Sequence, residues 1–221
     1  AEAAPERHRL PPSSEAREYT RRLAHLSREA QWREAYALLL DAPLHGVAPN
    51  SFACSVVAEA CGRGRRWDLA LETLRLLRSH AELPDAVMCT QLISACRWQA
   101  QWAQALALLA GMDSGRDGPA PNLQNVSAAI SVCEFGGRWP WALALLDDLG
   151  RRRLSPNGTC CGAVISACEK GRRWESSLWA LRYLQGRRLA PDVVSCSAAI
   201  SACEKGNDSD RALELLREMR G

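Results

Sequence analysis

Five cysteines, Cys61, Cys96, Cys133, Cys168 and Cys203, stand 35, 37, 35 and 35 residues apart in a chain of 221. Trp32, Trp67, Trp102, Trp139 and Trp174 keep the same ruler, and so do Pro49, Pro84, Pro121, Pro156 and Pro191, each followed by Asp or Asn. Landmarks that recur on a fixed period call for copies of one supersecondary unit rather than one core drawn from distant segments. Cutting after each Pro-Asp or Pro-Asn gives units 16–50, 51–85, 86–122, 123–157, 158–192 and a truncated 193–221.

Within one period, Cys196, Ala199, Ile200 and Cys203 fall at helical spacing, which predicts a first helix over Val193–Lys205. After Gly206 and Asn207, the apolar set Ala212, Leu213, Leu215, Leu216 and Met219 lies between charges, which predicts a second amphipathic helix. No strand periodicity of two appears. The expected fold is all-α, an alpha-alpha superhelix in which each hairpin covers the apolar face of its neighbour. Gly62, Gly64, Gly136, Gly137, Gly171 and Gly206 are expected to supply the permissive backbone between the helices of a unit. Residues 1–15, with Pro5, Pro11, Pro12, Ser13 and Ser14, read as a disordered lead-in, and the two extra residues of the third unit fall between Gly111 and Pro121.

Composition narrows the function. With 28 Lys and Arg against 25 Asp and Glu, the net charge of +3 excludes a polybasic nucleic-acid binder, so any such affinity must come from local placement. No stretch reaches 18 consecutive apolar residues, so no membrane partner is expected. The chain opens on Ala1 and is expected to be a piece of a longer protein, with any targeting segment outside it.

Four cysteine pairs, 54 and 61, 89 and 96, 161 and 168, and 196 and 203, are seven residues apart on a helix. That is about 10 Å of rise, beyond disulfide reach, and the thiols read as small buried apolar groups. There is no Cys-x-x-Cys, and His8, His25, His45 and His80 are too scattered to complete a zinc site, so neither metal nor cofactor is expected. The tryptophans, each at the start of a second helix, are expected in the core rather than stacked on a ligand.

The 35-residue helical hairpin closing in Pro-Asp or Pro-Asn, together with the segment DVVSCSAAISACEKG at 192–206, resembles the pentatricopeptide repeat family. The likeness spans residues 16–221, and the recurrent ISACEKG at 165–171 and 200–206 is similar to the repeats of algal, particularly dinoflagellate, members. The resemblance implies binding of single-stranded RNA in a plastid or mitochondrion at about one base per repeat, with protein factors as a further class of partner. It departs in having Cys where the family often has an aromatic residue early in the first helix.

The fifth residues of the units are Thr20, Ser55, Thr90, Ser127, Gly162 and Ser197, mostly hydroxyl-bearing. By resemblance these read the base together with the closing residues Asn50, Asp85, Asn122, Asn157 and Asp192. Phe52, Val87, Gln124, Thr159 and Val194 would sandwich it. The plainer alternative makes the hydroxyls helix-start residues and the closing residues caps. Arg28, Arg63, Lys170 and Lys205 form a further row suited to phosphates, or to a solvated helix end, interrupted by Trp98 and Phe135. The Arg residues at 151–153 and at 187 and 188 are expected on the outer surface.

The family's pairing of Ser or Thr with Asn for adenine, and with Asp for guanine, implies A, G, A, A for the first four units. The two added residues before Asn122 leave the third base open to displacement. No clustered acid, base or nucleophile set is visible, so no catalysis is expected. The competing reading is a peptide-gripping scaffold of the tetratricopeptide type, whose repeat places its Trp in the first helix.

Overall fold

The protein is described by a computed structural model covering residues 14–45, 47–115, 118–187, 189 and 191–218. Of the expected lead-in, residues 1–13 lie outside the described residues, and Ser14 opens the first helix. Six first helices, α1 (Ser14–Arg28), α3 (Ser51–Arg63), α5 (Ala86–Ala95), α7 (Leu123–Phe135), α9 (Gly158–Lys170) and α11 (Val193–Lys205), alternate with six second helices. The second helices are α2 (Trp32–Asp41), α4 (Trp67–Ser79), α6 (Trp102–Asp113), α8 (Trp139–Arg151), α10 (Trp174–Gly186) and α12 (Ser209–Glu218). Two 3-10 turns follow α2 and α5, over Ala42–His45 and Cys96–Gln99. The first coincides with Pro43, which has no N–H to continue an α-helical ladder. Among the described residues there is no strand, and no helix is long and apolar enough to cross a membrane.

Each first helix packs on its own second helix and on the first helices of adjacent units, so α1, α3, α5, α7, α9 and α11 form one continuous layer. The second helices form the other layer and pack far less on one another. Ala58, Ile93, Ile130 and Ile165, at equivalent places in successive units, are buried between the layers together with Leu77, Met112, Leu149 and Leu184 from the second helices. Each large side chain so placed contributes about 1.5–3 kcal/mol. All ten cysteines are thiols and nine are buried. Burial pushes those of Cys54, Cys96 and Cys168 up to about 12.

Two sequence expectations are corrected at the junctions. The recurrent tryptophans are half-buried rather than fully buried, because each ring lies between its own unit and the next. A Cβ on Gly64, Gly171 or Gly206 would stand 2.2, 2.3 or 2.2 Å from the ring of Trp32, Trp139 or Trp174 in the preceding unit. Guanidinium groups of the following unit cover the rings, Arg66 over Trp32 at 5.2 Å and Arg173 over Trp139 at 5.1 Å. These three glycines therefore serve close approach, whereas Gly137, at φ +62°, supplies the permissive backbone expected of it. Gly64 and Gly171 have φ of −74° and −81°, and the left-handed position falls one residue later, on Arg65 and Arg172 at 59° and 54°.

The long third unit keeps its register. Gly118, at φ +119°, brings the loop back so close that a Cβ there would stand 2.9 Å from the Pro84 carbonyl oxygen. The next helix then starts with the same cap as the others, so Asn122 is not displaced. At the outer surface Arg152 is not a plain solvated cation: it holds Asp113 of the preceding unit through two bonds of 2.5 and 2.7 Å, and Asp148 at 2.5 Å. Arg151, Arg153 and Arg187 are exposed, and Arg188 lies outside the described residues.

Candidate nucleic-acid interface

The closing residues cap the first helices. Asn50, Asp85, Asn122, Asn157 and Asp192 have extended backbones, and their Oδ1 atoms accept the amide three residues on at 2.8, 2.8, 3.0, 2.9 and 2.7 Å. The cap and the reader are compatible, because capping uses one side-chain atom of two. Asp85 retains Oδ2, an acceptor, and Asn50, Asn122 and Asn157 retain Nδ2, a donor. At Asp192 the side chain and backbone N–H of Ser195 bond the carboxylate and hold it below the usual range.

The hydroxyl row is narrower in what it offers than its residue types suggest. Ser55 donates to the Phe52 carbonyl at 2.8 Å, Thr90 to Ala86 at 2.9 Å and Ser127 to Leu123 at 2.6 Å. With the hydrogen spent on their own helix, these oxygens act as acceptors. Ser55 is buried, Thr20, Thr90 and Ser127 are half-buried, Gly162 is half-buried without a side chain, and Ser197 is exposed.

Beside them Phe52, Val87 and Val194 are 53%, 56% and 69% exposed. Gln124 and Thr159 occupy the same place in their units and are exposed too. In the first unit the geometry closes into a cleft of about 390 Å³, lined by Arg17, Tyr19, Thr20, Val47, Asn50 and Phe52. It brings together three residues expected to share a base, and adds Arg17, which the sequence reading passed over. Arg17 stands in its unit where Phe52 stands in the next, so the common offset was the available signal.

The cation row differs most from expectation. Lys170 pairs with Glu134 at 3.2 Å and Lys205 with Glu169 at 2.8 Å, each bridging to the unit before. Burial pushes the Glu169 carboxyl up, but hydrogen bonds from Lys205 and Ser201 outweigh it and leave it low. Arg63 donates to the Ser27 carbonyl at 2.9 Å and pairs with Glu59, while Arg28 is exposed. Between them Trp98 and Phe135 meet edge to face at 6.4 Å, with Arg97 4.1 Å from the Phe135 centroid and Arg65 5.5 Å from that of Trp98. The row is thus a ladder of paired charges and rings rather than a bare cationic stripe. No group of three metal-ligating side chains occurs among the described residues.

A two-layer solenoid of six hairpins, with capping residues and exposed side chains aligned along one row of helix starts, defines a helical-repeat protein. The family model described as PPR repeat matches residues 194–221. The crystal structure of maize PPR10 superposes with a TM-score of 0.70 at 29% identity, covering 91% of this chain and 29% of that one. PPR10 in complex with an 18-nt psaJ RNA element gives 0.67 at 23% identity, over 96% of this chain and 29% of that one. The PPR domain of Arabidopsis thaliana protein-only RNase P 1, in complex with tRNA, gives 0.71 at 12% identity, over 86% of this chain and all of that one. Among curated protein sequences none matches. The last unit thus matches the PPR repeat model, the whole array is similar in fold to pentatricopeptide repeat proteins, and the chain spans under a third of the length of PPR10.

Proposed function

We propose that this chain binds single-stranded RNA along the row of first-helix starts, one base to a unit, as a binding rather than a catalytic protein, in the RNA metabolism of a plastid or mitochondrion. The observation that carries it is the exposed row of Phe52, Val87 and Val194 beside capping residues that each retain one polar atom. Bases between such side chains gain stacking and apolar contact without sequence preference, and the remaining polar atoms supply the preference.

The hydrogen-bond inventory at Ser55, Thr90 and Ser127 supports a base for each unit, and Thr20 is read by the same rule. A hydroxyl acceptor beside the Nδ2 donor of Asn matches adenine, which gives at its amino group and takes at N1. A hydroxyl acceptor beside the free Oδ2 of Asp matches guanine, which gives at both N1 and N2. Thr20 with Asn50, Ser55 with Asp85, Thr90 with Asn122 and Ser127 with Asn157 therefore read A, G, A, A. Gly162 with Asp192 has no hydroxyl of its own, and Ser197 has no closing partner in this chain.

Competition binding tests this. AGAA-containing single strands are expected to displace a labelled probe better than AAAA or AGGA strands. Four cations in the row set an upper bound of four phosphates at roughly 0.7 released counterions each, and the pairing of Arg63, Lys170 and Lys205 with carboxylates puts the expected salt slope at or below a magnitude of about 3. An absence of RNA binding at low salt would overturn the proposal and favour a peptide-binding scaffold.

A further inference from the structure

We propose that Asn125 is a positioning residue for the third base, holding both readers of that base through one buried amide. This inference rests on the base-reading function above and adds a residue that does not itself meet RNA. Asn125 is the third residue of the fourth unit and is fully buried. Its Nδ2 donates to the Thr90 hydroxyl at 2.9 Å and to the Ala86 carbonyl at 3.0 Å, both in the third unit. Its Oδ1 accepts the Asn122 amide at 3.0 Å, and its own amide donates to the Asn122 Oδ1 at 3.0 Å.

The consequence is chemical as well as geometric. Both hydrogens of the Asn125 amide are committed, so its orientation is determined by its partners. The Thr90 hydrogen goes to Ala86 and one of its lone pairs takes the Asn125 hydrogen, leaving one lone pair for a base. Asn122 is bonded at Oδ1, which leaves its Nδ2 hydrogens. The two groups that face the third base, one acceptor and one donor, are thereby held relative to each other across a joint between units. That pattern accepts adenine and opposes guanine, whose N1 hydrogen would meet the Nδ2 hydrogens of Asn122.

The other joints show what Asn125 adds. The residue in its place is Ala53 at the first joint and Met88 at the second. At the fourth joint Cys160 reaches the Ser127 hydroxyl at 2.9 Å, and at the fifth the Ser195 hydroxyl lies 3.1 Å from where a Gly162 Cβ would be. This position thus touches the reader of the preceding unit repeatedly, but at these three joints only Asn125 bonds both readers through its side chain, whereas Cys160 reaches Asn157 through its backbone N–H.

The test compares single-base preferences of the full chain with those of Asn125→Ala, which installs the residue the first joint already carries. Fluorescence anisotropy competition with AGAA strands, varied one position at a time, reads each base, and thermal melting reads the fold. The adenine preference at the third base is expected to fall about fivefold, with the second and fourth bases unaffected. Should the alanine variant fail to fold, Asn125→Ser, matching Ser195, replaces it with the same expectation. The reverse change, Ala53→Asn, is expected to sharpen the preference at the first base. A wild-type preference at the third base that survives Asn125→Ala, or an equal loss at every base, overturns this inference alone. A wild-type chain with no preference at the third base overturns the base-reading function and this inference with it.

Discussion

The joint between the fifth and sixth units and the joint between the second and third close the same gap by different means. At the former, Trp174 lies on Gly206, where a Cβ would come 2.2 Å from the ring. At the latter, Gln99 stands in the glycine's place, accepts the Trp67 indole N–H at 2.6 Å and donates to the Arg65 carbonyl at 3.1 Å. There α5 stops after ten residues and continues as a 3-10 turn, whereas α11 runs thirteen. Trp32, Trp102, Trp139 and Trp174 are packed against the main core. A repeat of fixed length can therefore be closed by ring against backbone or by a side-chain hydrogen bond, with a change in helix end as the cost.

The largest way to break this contrast is to remove the rings. Trp139→Ala deletes a ring held against Gly171 and beneath Arg173, and is expected to cost about 2–4 kcal/mol in denaturant unfolding, while Trp67→Ala costs less. Equal losses at the two sites would show that the joints are energetically alike. A smaller effect comes from filling the gap: Gly171→Ala pushes a methyl into the Trp139 ring and is expected to cost about 1–3 kcal/mol. Gln99→Ala, which removes one hydrogen bond from the polar joint, is expected to cost about 0.5–1.5 kcal/mol. A Gly171→Ala chain as stable as wild type would mean that the ring moves aside freely.

The period of Cys61, Cys96, Cys133, Cys168 and Cys203 made the repeat, the hairpin and the buried thiols legible in the sequence, because periodicity records which face each residue buries. The close approach served by Gly64, Gly171 and Gly206 was not legible, although the permissive backbone at Gly137 was. Gly64 looks like a turn residue until Trp32, 32 positions earlier, is seen against it, and the left-handed conformation falls on Arg65, a residue type that does not advertise it. The pairing of the cation row was hidden for a related reason: Lys170 and Lys205 are spaced for phosphates, but Glu134 and Glu169 reach them from the units before. Asn50, Asp85, Asn122, Asn157 and Asp192 looked like either caps or readers; the geometry shows that each caps its helix with Oδ1 and leaves its second side-chain polar atom outside that bond. Asn125 carried no sequence signal, since its partners Thr90 and Ala86 lie 35 and 39 residues away.

Base reading by the spare atom of the capping residue is tested most directly at Asp85. Asp85→Asn keeps Oδ1 for the Met88 amide, so the helix cap and the fold are retained, and it exchanges only the free acceptor for a donor. In competition between strands differing only at the second base, wild type is expected to prefer guanine and Asp85→Asn adenine, a reversal of about tenfold in relative affinity. An unchanged ranking in a folded Asp85→Asn chain would contradict the account.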